Sequence, residues 1–152
     1  MLIHATAVAI GERAVLIRGA SGAGKSDLAL RLLALPTGGI PALTIPPLGE
    51  IALVADDQVD LGVHGGKVYA APPATIAGKL EVRGLGIIEV PAKHDVPIAL
   101  VVDLAEASTI ERMPEARTVD LRGIAVPAIS LDAREGSAPL KILIALHHRI
   151  ER

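Results

Sequence analysis

Along the chain, short apolar runs are separated by turn-forming residues, and this pattern predicts more strands than helices. Residues 2–10 read as an extended segment. Ala14 to Ile17 reads as a short strand apolar on both faces, as a strand buried between two layers must be. Gly19 to Gly24 is a glycine-rich turn. From Lys25 the residues Ser-Asp-Leu-Ala-Leu-Arg-Leu-Leu-Ala-Leu predict a helix, opened by small polar side chains and stopped before Pro36. Residues 36–49 contain four prolines and three glycines and predict a long surface loop. Ile51 to Ala55 is a second apolar strand, closed by Asp56 and Asp57. Val59 to Val63 and Lys67 to Ala71 flank His64-Gly65-Gly66 as a hairpin. Pro72 and Pro73 end that hairpin, and Gly84-Leu85-Gly86 interrupts the next polar stretch before a short strand from Ile87 to Val90. Ile98 to Val102 is a third buried run. Val119 to Leu121 and Ile124 to Leu131 suggest a late strand pair, and Leu140 to Ile150 a terminal helix. Together these predict one strand-rich α/β domain over residues 1–152, with no repeats.

Composition narrows the chemistry. At 152 residues the chain has room for one real core. It lacks Phe and Trp and has one Tyr, Tyr69, so the core is aliphatic and aromatic platforms for nucleobases are nearly excluded. With a formal charge of −2, nothing electrostatic recommends a nucleic-acid backbone as partner. Without cysteine there are no disulfides, thiol nucleophiles or thiolate metal sites. Met1-Leu2-Ile3-His4 does not open a signal peptide, and no apolar run reaches the roughly 18 residues of a membrane span. The expected location is the cytoplasm.

One motif carries most of the functional signal. Gly19-Ala20-Ser21-Gly22-Ala23-Gly24-Lys25-Ser26 fits the phosphate-loop pattern G-x-x-x-x-G-K-[ST], between a predicted strand and a predicted helix. The glycines let successive N–H groups turn inward, and the following helix adds unpaired N–H groups and the positive end of its dipole. Lys25 then reaches the β- and γ-phosphates of ATP, and the Ser26 hydroxyl is placed to ligate Mg2+. Two apolar runs end in acid beside such a loop: Ile51 to Ala55 followed by Asp56-Asp57, and Ile98 to Val102 followed by Asp103. Either can bring a carboxylate to the metal at a strand's C-terminal end. The paired acids say more, because neighbouring side chains on a strand face opposite ways, one toward metal and one toward another group. Two acids side by side also favour a proton acceptor that works near neutral pH.

Three blocks resemble the catalytic domain of the HPr kinase/phosphorylase family. His4 precedes Lys25 by 21 residues, similar to the family's histidine-to-lysine spacing. Val54-Ala-Asp-Asp57 resembles its V-A-D-D block. Leu80-Glu-Val-Arg-Gly-Leu-Gly-Ile-Ile-Glu-Val90 is a near-complete match to its signature segment. The resemblance runs from about residue 3 to 136 and implies a β-rich P-loop fold of the PEP carboxykinase-like type. It implies that Lys25 and Ser26 hold phosphate and Mg2+, with Glu81 as a second metal ligand. Asp56 or Asp57 takes the proton of an attacking serine hydroxyl, and His4 tunes that aspartate. Arg83, Gly84 and Gly86 shape the signature loop, Arg112 aligns with a family arginine, and Arg134 and Gly136 echo a late loop linked to dephosphorylation.

Several of these residues also have plainer readings. Glu81 and Arg83 can be an exposed charge pair, His4 a structural histidine, Asp103 a solvated strand end, and His147-His148 surface residues. The chain departs from the family in three places. The histidine block begins at residue 4, implying a short form with the catalytic domain alone. Residues 36–49 are an insertion. Ser137 and Ala138 stand where the family usually shows Arg-Asn. The leading expectation is an ATP-dependent serine kinase acting on the phosphocarrier HPr, with phosphorylase activity in reverse and self-assembly into a homo-oligomer as an open expectation. The alternatives are a small-molecule kinase and a nucleotide-sensing regulator on the same scaffold.

Overall fold

In the computed structural model, which describes residues 1–151, the chain forms eleven strands and two α-helices among those residues. The strands are β1 Leu2–His4, β2 Thr6–Ile10, β3 Arg13–Arg18, β4 Ile51–Ala55, β5 Gln58–His64, β6 Lys67–Ala71, β7 Lys79–Val82, β8 Gly86–Glu89, β9 Val96–Leu104, β10 Arg117–Leu121 and β11 Ile124–Leu131. The helices are α1 Lys25–Leu33 and α2 Ala138–His147. Nine strands form one sheet in the order β1-β5-β6-β9-β3-β2-β4, with β11 beside β9 and β10 beside β11; β7 and β8 form a separate hairpin. The predicted extended segment 2–10 is thus two strands, because β1 pairs with β5 whereas β2 pairs with β3 and β4. No helix among the described residues is long and apolar enough to cross a membrane.

The unbroken apolar runs have a simple cause: the central strands are covered on both faces. Val8, Ile10, Val15 and Ile17 pack against Leu28 and Leu32 of α1 and Ile142 and Leu143 of α2. Their neighbours Ala7, Ala9, Ala14 and Leu16 face a second layer with Val59, Leu61, Val68 and Val126. Alanine dominates the central strands on that second face, which lets a strand layer approach closely without aromatic filler. Strand β9 links the layers. It pairs antiparallel with β6 at Val96 and Pro97, runs parallel to β3, and then pairs parallel with β11 from Val101 to Leu104. The parallel β3–β9 register carries the phosphate-loop end of β3 alongside Asp103.

Four expectations are revised. The 36–49 segment is not merely a surface loop, since Ile45 and Leu48 are buried in the helix-side core. It doubles back through a 3-10 turn at Pro41–Leu43, with Leu48 N–H on the Thr37 carbonyl at 2.8 Å. Gly39, at φ 87, is needed there because a Cβ would lie 2.6 Å from the Ile45 carbonyl oxygen. The polar stretch before Gly84 is strand β7, whose Leu80 is wholly buried in the helix-side core. The terminal helix begins earlier and ends at His147, with Pro139 in its first turn, where a missing N–H costs nothing. Finally, His147 is half-buried rather than fully exposed. Its Nδ1 lies 3.5 Å from Arg13 Nη2, and burial, then the Arg13 charge, lower its pKa. His148 is exposed, as expected.

Candidate active site

Strand β3 ends at Arg18 and hands the chain directly to the glycine loop. The loop closes through a turn, Ala23 N–H to the Ala20 carbonyl at 3.0 Å, and α1 starts with Leu28 N–H on the Gly24 carbonyl at 2.9 Å. Gly24 has φ 101, a conformation that favours glycine, and a Cβ there would meet Ala133 Cβ at a tight 3.1 Å. No side chain caps α1, which leaves its first-turn N–H groups without partners inside the helix. Lys25 is buried, and its ammonium donates to the carbonyls of Gly19 at 2.7 Å and Ala20 at 3.0 Å. That brings a positive charge back over the loop.

The paired acids separate as anticipated, but a turn separates them rather than strand alternation. Asp56 is buried at the end of β4. Its Oδ1 accepts from Ser26 Oγ at 2.7 Å and Thr6 Oγ1 at 3.1 Å, and its Oδ2 from the Glu81 N–H at 3.3 Å. Asp57 follows at φ 70, a left-handed conformation that swings its exposed carboxylate out to His4, with Nδ1 and Oδ1 3.3 Å apart. Sequence reasoning passed over Thr6. The signal was there: a polar side chain opening an apolar strand, two residues after His4.

These groups border a cleft of about 350 Å3 lined by the loop and helix start from Ser21 to Leu30, by Asp57, and by Glu81, Val82 and Arg83 of the β7–β8 hairpin. Of the residues singled out, the fold therefore brings the phosphate loop, Asp57, Glu81 and Arg83 to one cleft, with Asp56 behind Ser26 and His4 behind Asp57. Glu81, itself exposed, touches Asp56 through its backbone N–H and lines the cleft. Arg112 is not brought there; it is exposed on the stretch before β10. Arg134 lies on Asp132, and its hydrogen bonds, joined by the Ala107 N–H, hold that carboxyl below the usual carboxylate range. The late loop still borders the phosphate loop, because Ala133 packs against Gly24, and Arg31 of α1 donates to the carbonyls of Ala133 and Glu135.

Asp103 takes no place at this cleft. Arg18 grips it through two bonds of 2.8 and 3.1 Å, and Arg117 adds a third at 2.9 Å. Burial pushes its carboxyl up, but the arginine hydrogen bonds and charges outweigh burial and hold it below its ordinary 3.8. A folded value below the unfolded one stabilises the fold above about pH 4, and that contribution is lost as pH falls through the folded value. Asp103→Asn is therefore expected to flatten the loss of Tm between about pH 5 and pH 2. Equal acid slopes for parent and variant would count against this pairing.

The donor set suits magnesium. Among the described residues no three acid or imidazole groups form a ready-made metal cage. Magnesium commonly does without one, using one or two protein oxygens together with substrate phosphates and water. Ser26 Oγ and Asp56 Oδ1, 2.7 Å apart at the helix start, are two such hard donors.

A strand–glycine loop–helix unit facing a paired-acid turn and a signature hairpin defines a strand-rich α/β domain of the kind found in nucleotide-dependent phosphotransferases. No family model matches the chain. Curated relatives do: HPr kinase/phosphorylase of Clostridium tetani (strain Massachusetts / E88) is 39% identical over 92 residues, 60% of this chain and 26% of that protein. The protein of the same name from Bordetella petrii is 30% identical over 146 residues, 88% of this chain and 43% of that one. The chain thus spans about a quarter to two fifths of the length of these relatives. The solved structure of the Hpr(Ser) kinase/phosphatase from Coxiella burnetii superposes with a TM-score of 0.74 at 26% identity, covering 94% of this chain and 91% of that one. The chain is a homologue of the HPr kinase/phosphorylases and has the fold of their catalytic domain.

Proposed function

We propose that the chain is an ATP-dependent serine kinase whose acceptor is an HPr-type phosphocarrier protein in the cytoplasm. One observation carries the reading: a phosphate loop and an open aspartate, Asp57, line one cleft, while its neighbour Asp56 is bonded behind that loop to the Ser26 hydroxyl. Lys25 and the first-turn N–H groups of α1 would hold the β- and γ-phosphates. Ser26 and Asp56 would hold magnesium, and Glu81, which lines the cleft beside them, would join them as a further ligand. Magnesium held there would supply charge neutralisation for the transferring phosphoryl group. Asp57 would accept the proton of the serine hydroxyl as its oxygen bonds to the γ-phosphorus and the bond to the bridging oxygen of ADP breaks. His4 orients that carboxylate, and Arg83 lies along the wall where the phosphoryl group passes. In the dephosphorylating direction, the same carboxylate would take a proton from inorganic phosphate as its oxygen bonds to the phosphoserine phosphorus; the bond to the serine oxygen breaks, that oxygen takes up the proton, and pyrophosphate leaves.

A protein acceptor is favoured by what borders the cleft. The β7–β8 hairpin carries Glu81 and Arg83 into it and exposes Leu85, Ile87 and Ile88 beside them. A metabolite needs no such apolar rim, whereas a protein bringing a serine to Asp57 would cover it. The test is incubation of the purified chain with Mg-ATP and HPr, reading intact mass. One added phosphate on HPr, absent with Lys25→Ala, is expected. Unmodified HPr together with measurable ATP binding would overturn the protein-kinase reading in favour of a nucleotide sensor.

A further inference from the structure

Thr6 is the polar side chain of β2 that meets both aspartates. It is fully buried, with 0% of its surface exposed, in a strand otherwise made of Ala, Val and Ile. Its hydroxyl has one proton, which goes to Asp56 Oδ1 at 3.1 Å. The Thr6 hydroxyl oxygen itself accepts the Asp57 N–H at 3.3 Å. The Asp57 carbonyl in turn accepts the Ala5 N–H at 3.2 Å, so two neighbouring residues of the β1–β2 junction clamp this turn. The other donors to Asp56, Ser26 Oγ and the Glu81 N–H, come from elements that line the cleft and meet whatever binds there. Thr6 is the anchor behind them, held in a close-packed strand that has no room to move.

We infer that Thr6 is a positioning residue that sets the Asp56 carboxylate against Ser26 and, through the Asp57 N–H, holds the left-handed turn that aims the Asp57 carboxylate into the cleft. A non-glycine residue at φ 70 needs support from its surroundings, and this hydrogen bond is part of that support. The inference rests on the kinase reading for the roles of the two acids: one side of the hydroxyl serves the metal-holding carboxylate and the other the proton acceptor. Groups one shell behind a metal ligand act by fixing its orientation, and their loss commonly costs about 10- to 100-fold in metal affinity or activity.

The test compares Thr6→Val, which keeps the shape and loses both bonds, with Thr6→Ser, which keeps the hydroxyl. Two quantities are read on the full chain: how much Mg2+ tightens ATP binding, and the hydrogen-exchange rate of the Asp57 amide. Thr6→Val is expected to lose about 10- to 100-fold of the magnesium effect and to exchange faster at Asp57, while metal-free ATP affinity stays at the parent value. Thr6→Ser is expected to restore both. Parent-like magnesium dependence and Asp57 protection in Thr6→Val would overturn the inference. Thr6→Ala is the second hydroxyl-free variant, and if neither it nor Thr6→Val folds while Thr6→Ser does, Thr6 serves the fold alone and the inference fails. A parent that binds Mg-ATP but phosphorylates no protein would sink the kinase reading and leave both readouts intact.

Discussion

Asp57→Asn is expected to lower phosphoryl transfer by about 10^2- to 10^4-fold, the usual contribution of a positioned general base, while ATP binding stays near the parent value. The substitution is a clean one. Asparagine has the same size, tolerates the left-handed backbone that Asp57 adopts at φ 70, and can still hydrogen-bond to His4, but it cannot take a proton from an acceptor hydroxyl. The choice of Asp57 over Asp56 follows from geometry. Asp56 is buried and its two oxygens already accept from Ser26, Thr6 and the Glu81 N–H. Asp57 is exposed and lines the cleft where an acceptor would arrive. The measurement is kcat for the phosphorylated acceptor beside Kd for ATP. Transfer at the parent rate by Asp57→Asn would remove this residue as the base and leave Asp56 as the remaining acid of the pair.

The second large effect is on stability. Leu53→Ala is expected to cost about 2–5 kcal/mol, the range for emptying a fully buried leucine site. Leu53 sits in β4 with none of its surface exposed, in the helix-side core with Leu28 and Leu32. Its backbone is also held on both sides, by β2 and by hydrogen bonds of 3.0 Å with Pro91 and Lys93, so the walls cannot easily collapse into the gap. For a chain of this size the cost corresponds to a drop of roughly 4–20 °C in Tm. Leu85→Ala, at a hairpin tip with 85% of the leucine exposed, is expected to stay within about 0.5 kcal/mol of the parent. Equal Tm losses for the two variants would contradict the division into a buried β4 and an exposed hairpin tip.

The structure around Asp56 and Asp57 shows where sequence reading succeeds and where it stops. The V-A-D-D block told that two acids would diverge, and the phosphate loop told that they would do so near Lys25 and Ser26. Strand alternation was the wrong cause, because periodicity reads strand faces and is blind to a single left-handed residue. Asp103 was a weaker second candidate in the sequence, since an apolar run ending in acid looks the same whether its partner is a metal or an arginine. Arg18 and Arg117 lie 85 and 14 residues from it, a separation that no local pattern links.

The elements themselves were largely written in the local sequence. Apolar runs buried on both faces, a Gly65-Gly66 hairpin, a glycine loop before a helix and a stop at Pro36 are short-range preferences that survive folding. The 36–49 segment was different, because its prolines and glycines describe a loop's backbone and say nothing about Ile45 and Leu48 finding the helix-side core. Thr6 is the sharpest case. Its hydroxyl acquires a role only when β2 lies beside β4 and brings it to residues 50 and 51 positions away. Local chemistry determined which residues can hold phosphate and accept a proton. Only tertiary pairing decided which carboxylate meets the Ser26 hydroxyl, which one faces the cleft, and what holds them apart, because those are distances between distant segments.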